Sequence, residues 1–129
     1  LDILLEVQTA SLLAKAAGEE ASNLDAYESL AMATLAGARA LGLDAITGSI
    51  AAGKWADLAC VDLSAPNSQP VYDPVSSLIY SARATQVSDV WVAGRHQVEN
   101  GELTEIDVAA IAARANEWSH QIRLQREAK

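Results

Sequence analysis

The hydrophobic pattern of this chain changes its period at Gly48, and this change limits the folds that the sequence can adopt. Before Gly48 the apolar residues recur about every 3.6 residues, which is typical of amphipathic helices. After Gly48 they follow the two-residue period of strands, until a helical pattern returns at Val108. The sequence therefore predicts a mixed α and β fold in which helices come first, strands follow and a helix closes the chain.

The first helix is predicted from the start of the chain to Gly18, with Asp2 as the available N-cap. Its apolar stripe is wide enough for a deeply packed helix. The central positions of that stripe are Leu4, Val7, Ser11 and Ala14, broadened by Leu5, Leu12 and Leu13.

A second helix is predicted from about Leu24 to Thr34, with Asn23 or Ser22 as its cap. We expect its inward positions to be Tyr27, Leu30 and Ala31. The helical pattern continues over Ala36–Leu41 and closes at Gly42, a C′-like position. Close approach of a neighbour is expected at the small residues Ala33, Ala36, Gly37 and Ala40.

The middle of the chain predicts strands joined by glycine turns. A strand over Lys54–Val61 is expected to be largely buried on both faces, because its residues are almost all apolar. The segment Ser64–Pro70 is a loop by composition, and Asp73-Pro74 opens a short helix that ends at Tyr80 or Ala82. A hairpin is predicted from Val87–Val92 and His96–Glu99 around Ala93-Gly94-Arg95, with a further turn at Asn100-Gly101.

The last predicted helix has the most regular apolar pattern. Its apolar residues are spaced by 3, 4, 3 and 4 positions, namely Val108, Ile111, Ala115, Trp118 and Ile122. Thr104 and Asp107 resemble a capping box before it. The polar tail Arg123–Lys129 is expected to fray.

Composition excludes several classes of function. With 9 Lys plus Arg against 17 Asp plus Glu, the formal charge of the chain is −8, so we expect no binding to nucleic acid. No apolar run approaches the roughly 20 residues of a membrane span, so no membrane partner is expected. The single cysteine, Cys60, forms no internal disulfide, which favours a cytoplasmic location.

The beginning of the sequence predicts that these 129 residues are a piece of a longer protein. Residue 1 is Leu, the helical pattern begins at once, and the single Met lies at position 32. No charged n-region precedes an apolar h-region in these residues, so no signal peptide is expected within them. We expect these 129 residues not to fold well alone, since the apolar face of the first helix would then be exposed.

Few residues of the chain are candidates for chemistry. His96 lies in a predicted hairpin strand, where a structural histidine is the simpler interpretation. Glu117 and His120 have the Glu-x-x-His spacing of di-iron bundles, but such sites need a second motif and two further Glu, so a solvated helix face is the simpler interpretation. Asp57 fits backbone hydrogen bonding at a strand start, and Cys60 in an apolar strand is expected to be a buried, inert thiol.

Glycine and nucleophile patterns add no site. The glycines of the strand region are spaced as turns and form no phosphate-binding loop, namely Gly48, Gly53, Gly94 and Gly101. No Ser-His-Asp or Cys-His arrangement is supported by spacing. The sequence therefore predicts no catalytic, cofactor-binding or metal-ligating residue in this chain.

The run MATLAGARALGLDAITGSIAAGKWADLACVDL (32–63) resembles the C-terminal part of metal-dependent amidohydrolases. The segments DPVSSLIYSA (73–82) and VSDVWVAGRHQVENGEL (87–103) are similar to the branch that contains S-adenosylhomocysteine and 5′-methylthioadenosine deaminases and the triazine hydrolases. The opening LDILLE also resembles that branch, so the resemblance covers nearly the whole chain. One departure is Ala36, where the family usually has Asn. We expect this change to affect the local geometry of the helix more than the activity.

The resemblance implies a parent (β/α)8 barrel with a composite small β-sandwich domain built from both chain ends. Residues 1–47 would be the terminal barrel helices. Residues 48–103 would be small-domain strands with an inserted helix at about 73–82, and residues 104–129 a C-terminal amphipathic helix and tail. The chain would be structural, and its partner would be the upstream part of the barrel.

The resemblance also implies the chemistry of the parent. A zinc or iron ion would lower the pKa of a bound water, and the hydroxide would attack an amino-bearing ring carbon so that ammonia leaves. The substrate would be an adenosine-like thioether nucleoside or a related heterocycle, and the parent would be a homo-oligomer. The family's ligands are a His-x-His pair, two later His and an Asp, and neither His96 nor His120 matches them, so the isolated chain is expected to be inactive and metal-free.

Two other hypotheses remain open at this point. The chain could be a free-standing, non-catalytic module that retains the small-domain strands and binds a partner. It could also be a small enzyme that uses His96 or His120. An upstream sequence with His-x-His would favour the hydrolase, and a natural start codon just before Leu1 would favour the module.

Overall fold

A computed structural model describes residues 2–127 of the chain; Leu1, Ala128 and Lys129 lie outside the described residues. Helix α1 spans Ile3–Gly18, and its N-cap is Asp2, whose Oδ1 accepts a hydrogen bond from the Leu5 N–H at 3.1 Å. The predicted cap and the predicted end at Gly18 are therefore confirmed. Val7 and Ser11 are buried as expected, whereas Leu5, Leu12 and Leu13 are more than half exposed.

The second helix begins later than predicted. Helix α2 spans Ala26–Ala31 and is capped by Asp25, which forms a capping box with Glu28, so the prediction of Asn23 or Ser22 was wrong. Leu24 has a φ of +48°, which is incompatible with a helix. Its carbonyl accepts the Ser11 hydroxyl and the Lys15 ammonium of α1, so contacts made outside the segment set this helix start.

The inward face of α2 also differs from the prediction. Tyr27 is 61% exposed and its hydroxyl donates to Asp73 Oδ1 at 3.1 Å, while Ala31 is exposed and Leu30 half-buried. The buried residues are instead Ala26 and Ser29. The helix continues through a π-helical turn at Met32–Ala36 into α3, Gly37–Ala40, and Gly42 follows with a φ of +70°, as its predicted C′ position requires.

Within the described residues, four antiparallel strands form one sheet in the order β1-β2-β3-β4. Their bounds are Leu58–Val61, Val87–Val92, Arg95–Glu99 and Glu102–Leu103. The predicted hairpin is confirmed, and its turn residues Ala93 and Gly94 both have positive φ, as do Asn100 and Gly101 in the next turn.

Strand β1 is shorter and more exposed than predicted. It begins at Leu58, because the Trp55 N–H donates to the Ile46 carbonyl at 2.8 Å and belongs to the preceding loop. Ala59 and Cys60 are exposed, so the prediction of a strand buried on both faces was wrong. Among residues 2–127, antiparallel pairing of β1 to β2 leaves these two side chains uncovered.

Helix α4 spans Pro74–Tyr80 and starts as predicted, with Asp73 accepting the Ser76 N–H at 2.9 Å and Pro74 in the first turn. Short 3₁₀ turns occur at Pro66–Ser68 and Ala84–Gln86. Ile79 of α4 is only 2% exposed and lies in one core cluster with Val7 and Ala26. The core therefore joins α4 to the N-terminal helices.

Helix α5 spans Val108–Glu127, and every one of its residues is exposed. Its cap is Asp107, whose Oδ1 accepts the Ala110 N–H at 2.9 Å. Thr104 does not complete the predicted capping box, because its hydroxyl donates to the His96 carbonyl of β3 at 2.7 Å. The tail from Arg123 onward was predicted to fray. The structure instead continues helix α5 through Glu127, so this prediction was wrong for residues 123–127.

Candidate functional site

A cavity of about 710 Å³ lies between the N-terminal helices and the sheet. Helices α1, α2, α3 and α4 supply one part of its lining, and β1 with the loop at 43–50 supplies the other. Its lining is mainly aliphatic, as shown by Leu4, Leu30, Leu41, Ile50 and Leu58. We call this feature the apolar groove.

The helical wall of the apolar groove approaches the opposite loop at Gly48. A Cβ atom at Gly48, which has a φ of +81°, would lie 2.6 Å from the Ala38 Cβ and 3.1 Å from the Leu35 Cα. Only glycine fits this contact without displacement. Close packing was also predicted at Gly37, but there an added Cβ would meet only the Met32 carbonyl oxygen, at 3.1 Å, among the described residues.

The loop that carries Gly48 is held by Lys54. The Lys54 ammonium donates to the Asp44 carbonyl, to the Thr47 carbonyl at 3.1 Å and to the Ser49 hydroxyl at 2.9 Å. These three acceptors fix the loop from within, so Lys54 acts here as a structural cation.

Asp57 is the acidic residue on the rim of the groove. Its two carboxylate oxygens accept separate hydrogen bonds of 2.7 Å, one from the Thr47 hydroxyl and one from the Ala93 N–H. These bonds favour the ionised form, with that from Thr47 the larger cause, and hold the pKa of Asp57 below its ordinary value of 3.8. The expected backbone hydrogen bond is therefore present, and the carboxylate joins the loop, the strand start and the hairpin turn.

Asp57 should make stability depend on pH on the acid side. Because its pKa is lowered by folding, its contribution to the free energy of unfolding is complete above the unfolded pKa and is lost as pH falls through the folded pKa. We expect Asp57→Asn to destabilise the complete protein at neutral pH, since asparagine keeps one acceptor oxygen, and the difference from wild type to shrink below about pH 4. Urea unfolding of both proteins across pH tests this, and a pH-independent difference would contradict it.

His96 is half-buried and belongs to the hairpin. Its Nε2 lies 2.9 Å from Asp89 Oδ1, and its ring stacks on Trp91 with centroids 4.4 Å apart and planes 7° apart. The pKa of Asp89 lies below its ordinary value, first because the Ser88 side chain donates to it and then because of His96. Trp91 and His96 are cross-strand partners, so this cluster stabilises the β2–β3 register.

Cys60, Glu117 and His120 are not among the residues that line the groove. Cys60 is exposed, so the expectation of a buried thiol was wrong. Glu117 and His120 both lie on exposed turns of α5. The expected turn glycines Gly48, Gly53, Gly94 and Gly101 all have positive φ.

Two features are absent from the described part of the chain. Within residues 2–127, no group of three or more His, Cys, Asp or Glu side chains could hold a metal ion. The same residues include no helix that combines the length and the apolarity of a bilayer span.

The apolar groove was not predictable from the sequence, because its walls come from segments far apart in the chain. The available signals were the small residues at Ala33 and Gly37, which line the groove, and the apolar residues of β1. Each signal was interpreted as the packing of one element rather than as a shared concave surface.

Comparison with known proteins supports one family across most of the chain. Residues 1–96 match the Amidohydrolase family. A 5-methylthioadenosine/S-adenosylhomocysteine deaminase of Teredinibacter turnerae is 40% identical over 98% of this chain and 28% of its own length. The chain thus spans little more than a quarter of that relative.

Solved structures agree with this family. The zinc-bound crystal structure of an adenosine deaminase from Xanthomonas campestris has a TM-score of 0.89 and 49% identity, over 94% of this chain and 28% of the other. An atrazine chlorohydrolase from Arthrobacter aurescens, complexed with zinc, has a TM-score of 0.80 and 31% identity, over 88% of this chain and 25% of the other.

Proposed function

Because this chain belongs to the amidohydrolase family, we propose that it is the C-terminal part of a metal-dependent aminohydrolase that deaminates an adenosine-like heterocycle. The observation that carries this proposal is the similarity to a named nucleoside deaminase along almost the entire chain. In the net reaction water replaces the exocyclic amino group of the ring, the C–N bond breaks and ammonia leaves. Thioether nucleosides are the preferred substrate class, because the relative's name contains two of them.

The role of this chain in such an enzyme is structural. The apolar groove is lined mainly by aliphatic side chains, and the rim carboxylate of Asp57 already accepts two hydrogen bonds. A nucleoside site needs several free, convergent polar groups, whereas packed polypeptide needs apolar surface. We therefore assign the groove to packing against the upstream part of the protein, with residues 1–47 as terminal helices of a (β/α)8 barrel and residues 48–103 as part of a composite small domain.

The metal belongs outside the described residues in this proposal. The zinc named with two neighbouring structures supports a metal in the complete enzyme, zinc or iron. The described residues do not fit such a site, because they offer no cluster of three ligands within 2–127. No step of the reaction is therefore assigned to a side chain of this segment.

A free-standing binding module is the competing hypothesis. It would have to leave the apolar groove and the exposed Leu5, Leu12 and Leu13 facing water. Monomeric soluble proteins rarely expose large contiguous apolar patches, so this observation favours the hydrolase.

The decisive experiment uses the complete protein. We expect about one zinc or iron per chain, loss of the adenine absorbance when 5′-methylthioadenosine or S-adenosylhomocysteine is added, and at least about a hundredfold loss of rate after chelation. Cys60→Ser is the matched control from this chain and should retain full activity, because the thiol is exposed in the described residues and no step of the reaction is assigned to it.

Two results would change the proposal. Turnover of a triazine without turnover of a nucleoside would keep the family but replace the substrate class. A complete protein that binds no metal and deaminates neither substrate would favour the binding module.

A further inference from the structure

Tyr80, the last residue of α4, contacts three side chains on one face of α1. Its carbonyl accepts the Gln8 side chain at 2.6 Å, and its hydroxyl lies 3.0 Å from the Ser11 hydroxyl. The Lys15 ammonium lies over its ring, 5.9 Å from the centroid. Residues 8, 11 and 15 are spaced by three and four positions, so they follow one another along two turns of the helix. We call these four residues the Tyr80 cluster.

The hydrogen bonds of the Tyr80 cluster form one connected network. Ser11 is completely buried and donates its single hydroxyl proton to the Leu24 carbonyl at 2.6 Å, so the Tyr80 hydroxyl donates to Ser11 Oγ. The Lys15 ammonium donates to the same Leu24 carbonyl at 3.1 Å and to the Asn23 carbonyl at 2.7 Å. The network therefore joins α1, the end of α4 and the turn that precedes α2.

This network fixes the position of α1 along its own axis. The apolar contact of α1 with the core is made by Val7, and packed helices can slide past one another by small distances. Hydrogen bonds are less tolerant, because a displacement of about 1 Å takes donor and acceptor beyond bonding distance. The bonds at Gln8 and Ser11 therefore select one axial position, and the burial of Ser11 makes their loss costly.

We propose that Tyr80 is a positioning residue for the deamination reaction and that it acts through α1. This inference rests on the proposed function, in which the reacting groups belong to the upstream part of the protein and that part leads into α1. A shift of α1 along its axis would move the polypeptide that is joined to its N-terminal end. A misplacement of about 1 Å at the reacting groups can lower a rate about a hundredfold. Tyr80 itself contacts neither substrate nor metal in this proposal.

Steady-state kinetics of the complete protein with 5′-methylthioadenosine test the inference. Tyr80→Phe removes only the hydroxyl that donates to Ser11, and we expect kcat per folded chain to fall about tenfold at unchanged KM. The substrate contacts remain in this variant, whereas the alignment of the reacting groups is lost. A merely structural role would instead reduce the amount of folded protein, measured by near-UV circular dichroism, and leave kcat per folded chain unchanged.

The matched control is Tyr27→Phe, which makes the same chemical change at a hydroxyl that does not bond to α1. The Tyr27 hydroxyl donates to Asp73 at 3.1 Å and so joins α2 to the cap of α4. We expect its kcat to equal that of the wild type. Hydrogen exchange should be faster in peptides from residues 3–18 of Tyr80→Phe and should be unchanged there in Tyr27→Phe.

Ser11→Ala removes the other partner of the same hydrogen bond and keeps the inference testable if Tyr80→Phe folds poorly. We expect its kcat to fall at least about tenfold. Adding Tyr80→Phe to Ser11→Ala should lower kcat no further, because the interaction is already absent. Losses that multiply in the double variant would mean that the two residues act independently, which would overturn the inference.

The wild-type assay separates this inference from the proposed function. An active wild type with wild-type kcat in both Tyr80→Phe and Ser11→Ala would overturn the positioning role and leave the proposed function intact. A complete wild-type protein that deaminates no nucleoside would contradict the proposed function, and the inference that rests on it would fall as well.

Discussion

Replacement of Gly48 by alanine is expected to destabilise the complete protein by about 3 kcal/mol. Two costs combine at this position. The φ of +81° is unfavourable for an L-residue, and the new methyl group would lie 2.6 Å from the Ala38 Cβ. Ala38 is 7% exposed and lies in α3, so it has little freedom to move away. The methyl group would therefore push the loop away from α3 at the edge of the apolar groove.

Urea unfolding of the complete protein measures this effect, and hydrogen exchange of peptides from residues 34–48 localises it. Gly53→Ala is the matched control, because Gly53 has a φ of +87° but an added Cβ would have no neighbour within 4 Å. We expect it to cost about 1 kcal/mol, which isolates the backbone contribution. Equal losses in the two variants would show that the contact with Ala38 is irrelevant.

Replacement of Ile79 by alanine has the second large expected effect, a loss of about 3 kcal/mol in the free energy of unfolding. Ile79 is 2% exposed and belongs to the cluster that joins α4 to Val7 of α1 and Ala26 of α2. Truncation removes three carbon atoms from this cluster and leaves a cavity that the neighbouring helices fill only in part.

The matched control for Ile79→Ala is Ile106→Ala, which makes the same chemical change at a side chain that is 49% exposed. We expect less than about 1 kcal/mol there, because little apolar area is returned to water. Thermal and urea unfolding of the complete protein compare the two variants. A loss at Ile106 as large as that at Ile79 would mean that the cluster around Val7 is not the core of this segment.

Features set by local chemistry were predictable from the sequence. Asp2 and Asp73 cap their helices because a short side-chain acceptor immediately precedes helical residues, and Pro74 fits the first turn. The hairpin turn at Ala93-Gly94 was likewise indicated by its glycine and its flanking apolar strands. Each of these features depends on residues that are neighbours in the chain.

Features set by distant contacts were not predictable in this way. The start of α2 moved because α1 binds the Leu24 carbonyl through Ser11 and Lys15. The face of β1 that carries Cys60 was predicted to be buried because its residues are apolar, yet the described residues leave it exposed. An apolar pattern indicates that a surface packs against something, and it does not identify the partner. The same limit applies to the groove, whose two walls the sequence places in separate predicted units.

The contact of α4 with the N-terminal helices has a consequence for the order of biosynthesis. The Gln8 side chain donates to the Tyr80 carbonyl at 2.6 Å, and the Ser11 hydroxyl lies 3.0 Å from the Tyr80 hydroxyl, so residues about 70 positions apart complete one cluster. Helices α1 and α2 are synthesised before α4. Their inner faces therefore stay uncovered until α4 has left the ribosome. During that interval a chaperone has access to an apolar surface that the finished core removes from water.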